Sequence, residues 1–110
     1  MGVGGASGRD RHDGRMVLEI AHIRVQAGRG TEFVAAYREA RELLVSTQGC
    51  RSARMTRGVE SAGEFTLLVE WDTLESHTEN FRASDRFPRW RALIGPFFDG
   101  EPRVEHWVDV

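Results

Sequence analysis

The strongest constraint on the fold is a switch of hydrophobic period between neighbouring segments. In "TEFVAAYREARELLVSTQG", Phe33, Ala36, Tyr37, Ala40, Leu43 and Leu44 recur at steps of three and four, the spacing that lines one face of a helix. Thr31 or Gly30 suits the N-cap of this helix, and Gly49 suits the left-handed residue that ends it. Just before it, "VLEIAHIRV" from Val17 to Val25 is apolar and β-branched and stops at "QAGRG". That composition predicts a strand followed by a loop.

After the helix come two short strand-like runs, Arg51 to Gly58 and Glu64 to Trp71, joined by a turn containing Ser61, Ala62 and Gly63. Together they predict a hairpin. Asp72 or Thr73 can cap a second helix in "LESHTENFRAS", where His77 and Phe81 stand four apart. Ser84 opens a further helical turn in which Phe87, Trp90, Leu93 and Ile94 share a side, with Pro88 tolerated near its start. "RVEHWVDV", from Arg103 to Val110, closes the chain as a last strand.

The order β-α-β-β-α-β is that of a ferredoxin-like α+β fold, an antiparallel sheet with both helices on one face. Strand 1 sets Val17, Ala21, Ile23 and Val25 against Leu18 and Ile20. Strand 3 sets Phe65, Leu67, Val69 and Trp71 against Leu68. A sheet that is apolar on both faces must be covered on both. The helices cover one, so a second copy of the chain is expected on the other, in a homodimer.

Length and composition narrow the function classes. A chain of 110 residues forms one domain that hides roughly two thirds of its unfolded surface. The net charge of -2 offers no concentrated basic surface, which excludes nucleic acid and acidic lipid as expected partners. Cys50 is the single cysteine. It allows no internal disulfide and has no metal-type spacing, which fits a reducing cytoplasm. No apolar run approaches the ~20 residues of a membrane span. Residues 1–15, "MGVGGASGRDRHDGR", read as a flexible extension containing His12, with Met16 an alternative start and the domain running over 16–110.

"WDTLESHTENFRASDRFPRW" gathers Trp71, His77, Phe81, Phe87 and Trp90 into twenty positions. On residue types alone it is either an ordinary core or the wall of a pocket for a flat aromatic molecule. Arg91 reads as a solvated arginine, an ion-pair partner of Asp85 or Glu101, or an anion binder. His77 reads as a hydrogen-bonded helix-edge side chain or a proton relay. His22 and His106 lie on strands whose inward side the sequence leaves open, and a metal site made from His22, His77 and His106 has no local ligand spacing behind it.

The segment "LLVEWDTLESHTENFRASDRFPRWRALIGPFFDGEPRVEHW" resembles the antibiotic biosynthesis monooxygenase family of dimeric α+β barrels. The features it shares are a strand ending in Trp, a helix opening one or two residues later, "NF-x-A-S-x-x-F-x-x-W", and a proline before the last strand. The resemblance spans about Met16 to Val110. It implies a small oxygenase without cofactor, acting on a polycyclic aromatic (anthrone or polyketide) or quinol-type substrate with O2. Such a substrate reduces oxygen itself once deprotonated, so the protein has to supply a dry pocket, an anion stabiliser and a base.

Within that resemblance Trp71 and Arg91 match a Trp and an Arg of the polyketide-oxidising type, whereas Leu67 and His77 stand where that type has Asn and Tyr. Ala21, Phe81 and Arg91 stand where the haem-degrading type has Asn, Trp and His. The implied roles are substrate orientation for Trp71, anion stabilisation for Arg91 and proton relay for His77, with Leu67, Phe81, Phe87, Trp90 and His22 around the substrate. A carrier of the same fold, which holds an aromatic ligand without turning it over, is the alternative.

Overall fold

The computed structural model describes residues 15–110. The extension expected over 1–15, His12 included, lies outside them apart from Arg15. Alternation along β1 (Val17–Arg24) buries Val17, Glu19, Ala21 and Ile23 on one face and turns Leu18, Ile20, His22 and Arg24 to the other. β3 (Glu64–Trp71) runs antiparallel beside it, from Val17 opposite Trp71 to Arg24 opposite Glu64. β2 (Cys50–Arg57) pairs with the far side of β3, and β4 (Arg103–Trp107) with the free side of β1. The sheet order is thus β2-β3-β1-β4, the ferredoxin-like arrangement that the period switches predict. β4 stops at Trp107 rather than Val110, and Val25 leaves β1 to bridge Phe98.

α1 (Gly30–Val45) buries Phe33, Tyr37, Ala40 and Leu44 against the sheet. Its ends differ from expectation. Gly30 and Thr31 lie inside the helix, and Arg29 precedes it without a side-chain cap. At the other end Ser46 Oγ donates to the Glu42 carbonyl at 2.6 Å and Thr47 Oγ1 to that of Leu43 at 2.7 Å. These hydroxyls satisfy the last carbonyls, so the helix stops before Gly49. Gly49, at φ 94°, instead turns the chain into β2 and lies so close to Ser76 that any Cβ would collide with that side chain.

The second helical segment is interrupted. α2 (Leu74–His77) is capped by Thr73, whose Oγ1 accepts the Ser76 N–H at 3.1 Å. A π-helical turn over Thr78–Arg82 follows, then α3 (Arg86–Ile94), with Pro88 in its first turn, and a 3-10 turn over Gly95–Phe97. His77 and Phe81, four apart across the junction with the π turn, are both buried on its inward side. Trp71, Phe33, Phe81, Leu44, Ile94 and Val69 are the largest fully buried side chains, each stabilising the fold by roughly 1.5–3 kcal/mol. The far face of the sheet carries Leu18, Ile20 and Leu68, all half-buried, and Trp107, which is 55% exposed.

Candidate active site

A cavity of about 160 Å³ lies between the sheet and the helices. β1 contributes Glu19, Ala21 and Ile23, and β3 contributes Leu67. The helical segments supply Leu44, His77, Phe81, Phe87, Trp90 and Ile94, while Arg91, Phe98 and Glu101 stand along one side. Six of the residues singled out from sequence therefore line one space: Leu67, His77, Phe81, Phe87, Trp90 and Arg91.

Trp71 and His22 do not. Trp71 is fully buried behind the wall, its ring stacked on His77 and its Nε1 donating to Glu19 Oε1 at 3.0 Å. Its one N–H is therefore engaged by protein rather than open to the cavity. His22 has the parity of Leu18 and Ile20, so the two-residue strand period carries it to the opposite face, where Nε2 lies 3.3 Å from Glu105 Oε1. For the same reason His22, His77 and His106 do not converge, and among the described residues no group of three or more His, Cys, Asp or Glu side chains suits a metal ion.

Glu19 is the residue that sequence reasoning missed. It is a 5% exposed carboxyl in a largely aromatic and aliphatic wall that also holds His77 and Arg82. Burial raises its pKa to about 7, against the Trp71 hydrogen bond and the Arg82 charge, which lower it. His77 Nε2 lies 3.5 Å from the same Oε1. Burial, aided by the positive charges of His106 and Arg82, depresses the His77 pKa to about 3. The contact is therefore no ion pair at neutral pH, since His77 is uncharged and burial disfavours the ionised form of both groups. The other nitrogen, His77 Nδ1, is 2.8 Å from His106 Nε2. The signal for Glu19 was in the sequence, since it shares its parity with Val17, Ala21 and Ile23. His106 sits opposite Glu19 on β4, a register that the sequence does not print.

Arg91 pairs with Glu101 at 3.4 Å, and its guanidinium lies 5.3 Å from the Phe98 ring centroid and 6.0 Å from that of Phe87. Of the partners considered for it, Glu101 is the one the fold brings near. Its side chain is 37% exposed, so it stands at the cavity edge as a permanent charge beside aromatic faces. Haem does not fit this space: the cavity is too small for a macrocycle, and both His77 nitrogens face protein groups.

An antiparallel four-stranded sheet with helices packed on one face, enclosing an aromatic-walled cavity, defines the α+β ferredoxin-like class. The chain belongs to the antibiotic biosynthesis monooxygenase family, whose sequence pattern matches residues 16–93. It is similar to a crystal structure from Bordetella bronchiseptica named "Putative antibiotic biosynthesis monooxygenase". The identity is 38% and the TM-score 0.84, over 87% of this chain and 98% of that one. The protein YczJ of Bacillus subtilis, itself uncharacterized, is 38% identical over 95 residues, 86% of this chain and 100% of its own length. A conserved protein from Methanosarcina mazei Go1 shares the fold at 21% identity and a TM-score of 0.77, over 88% of this chain and 95% of its own.

Proposed function

We propose that the protein is a monooxygenase that works without a cofactor and oxidises a single-ring quinol or related phenol with O2. The observation that carries this reading is a cavity sized for one aromatic ring with one buried carboxyl, Glu19, in its wall. A cavity of about 150 Å³ lined by apolar side chains holds benzene, and this one measures about 160 Å³. Of the two substrate classes that the sequence leaves open, the space favours the quinol over a polycyclic anthrone.

The chemistry follows from the groups present. Glu19, whose pKa burial raises to about 7, takes a phenolic proton in its ionised form. Arg91 stabilises the phenolate oxygen at the cavity edge. The electron-rich ring then reduces O2: one oxygen atom joins a ring carbon and the other leaves as water with two hydrogens of the substrate. A benzene-diol thus becomes a hydroxyquinone, and no external reductant is consumed. Trp71 acts through Glu19, holding the carboxyl in place, and is a positioning residue in this scheme. The face bearing Leu18, Ile20, Leu68 and Trp107 seats a second copy of the chain, which closes the barrel and covers apolar area.

Oxygen uptake with methylhydroquinone, in chelated buffer free of flavin and haem, tests the reading. Catalysed uptake above the spontaneous rate, lowered tenfold or more (about 1.4 kcal/mol of barrier) in Arg91→Gln, is the expected result. Ring binding with no uptake would make the protein a carrier instead.

A further inference from the structure

We infer that Glu19, His77 and His106 form a proton line from the cavity to the surface, in which ionisation of the carboxyl inverts the tautomers of both imidazoles. The line has one short link and one longer one: His77 Nδ1 is 2.8 Å from His106 Nε2, within hydrogen-bond distance, and Glu19 Oε1 is 3.5 Å from His77 Nε2, a gap that a small side-chain shift closes. It runs from a carboxyl and an imidazole that are 5% and 3% exposed to His106, an exposed residue of the edge strand β4. Each link of a neutral imidazole pair needs one donor and one acceptor.

Those requirements fix the order of protons. With Glu19 protonated, its O–H donates to His77 Nε2, His77 Nδ1–H donates to His106 Nε2, and His106 carries its single ring proton on Nδ1. With Glu19 ionised, His77 Nε2–H donates to the carboxylate and His106 Nε2–H donates to His77 Nδ1. The two states differ by one proton, and the one lost is on His106 Nδ1, at the solvent end. A proton taken up at the cavity thus leaves at the surface without any ring resting as an imidazolium. That suits His77, whose charged form burial and its cationic neighbours disfavour.

The charged and titratable groups that bear on this line come from the π turn, the cavity side and β2. Arg82 of the π turn acts on Glu19, His77 and His106. Arg91 and Glu101 stand on the cavity side, and Cys50 of β2 feels the Glu19 charge. The inference rests on the proposed oxidation only for the source of the proton, a substrate hydroxyl.

Nitrogen NMR of histidine-labelled protein tests the line itself. As pH is raised through the Glu19 titration, the ring nitrogens of His77 and His106 are expected to exchange protonated and unprotonated shifts with one common midpoint. In Glu19→Gln each ring should keep a single tautomer. A ring that keeps one tautomer throughout in the wild type, or inversion that persists in Glu19→Gln, would overturn the proposal. The exit role has a separate readout. His106→Gln should slow quinol oxidation at least tenfold in dilute buffer, and added imidazole should restore the rate. An unaltered rate, or a loss that imidazole does not mend, would remove His106 from the path. A wild type that oxidises no quinol would defeat the oxidase reading alone, because the NMR titration needs no turnover.

Discussion

The Trp71 indole and the His77 imidazole stack with centroids 5.2 Å apart and planes 15° from parallel, and each turns a nitrogen toward the same oxygen, Glu19 Oε1. Two neighbouring elements, the end of β3 and the start of the interrupted helix, thereby clamp one buried acid from adjacent directions.

Trp71→Phe keeps the stacked ring and deletes the N–H. The indole hydrogen bond lowers the Glu19 pKa, so the variant's carboxyl should titrate above about 7. Losing the bond from a buried acceptor should cost about 1–3 kcal/mol of stability. Carboxyl carbon NMR and urea unfolding read the two effects. A carboxyl that titrates as in the wild type would show that the bond does not hold Glu19.

Glu19 also sets a sign for stability against pH. Its carboxyl titrates at 4.5 when unfolded and at about 7 when folded. The stability gained from its protonated form is complete below pH 4.5 and is lost as pH rises through about 7. Glu19→Gln abolishes that loss. Its stability relative to wild type should therefore climb with pH across this window, by about 1.4 kcal/mol per pH unit. His77 has the opposite sign: its pKa falls from 6.5 to about 3 on folding, so its contribution is present above pH 6.5 and lost as pH drops through about 3. Urea midpoints for both proteins at a series of pH values would expose the difference, and parallel curves would contradict it.

Cavity volume should control substrate size. Ala21→Leu pushes extra methyl groups into the space and should raise the KM for methylhydroquinone tenfold or more, while far-ultraviolet circular dichroism keeps its shape. Leu67→Ala enlarges the same cavity, admits a two-ring quinol, and costs about 2–5 kcal/mol of stability. Steady-state kinetics with one-ring and two-ring quinols would show whether the preference moves with the wall.

Leu68 lies on the open sheet face, opposite Ile20 on one side and Arg54 on the other. Leu68→Arg places a charge there without touching the helix-side core. Sedimentation should give the wild type twice the 12.4 kDa chain mass and the variant the single mass with an unchanged fold. A wild type that sediments as a single chain would refute the proposed pairing.

Much of the fold was legible because it is written in local period. The step of three and four that places Phe33, Tyr37, Ala40 and Leu44 on one helix face, and the alternation of Val17, Ala21 and Ile23, follow from geometry within a few residues. Chain ends were less legible. Whether α1 stops at Val45 or runs on to Gly49 depends on two hydroxyls folding back on carbonyls, and the break after His77 depends on a π turn that no periodicity announces.

For the site, sequence determined which side chains could form an aromatic wall, since Phe81, Phe87 and Trp90 fall on inward faces of their helical segments. It also held Glu19 on the inward parity of β1. Only the tertiary structure decided what that carboxyl would meet. The β1–β4 register sets His106 opposite Glu19, the β1–β3 register brings Trp71 to the same end, and the end of α2 places the His77 ring against both. The pairing energy of a strand edge and the packing of a helix against it are sums over distant residues. A carboxyl's partners, and with them its pKa, therefore exist only once the chain has closed on itself.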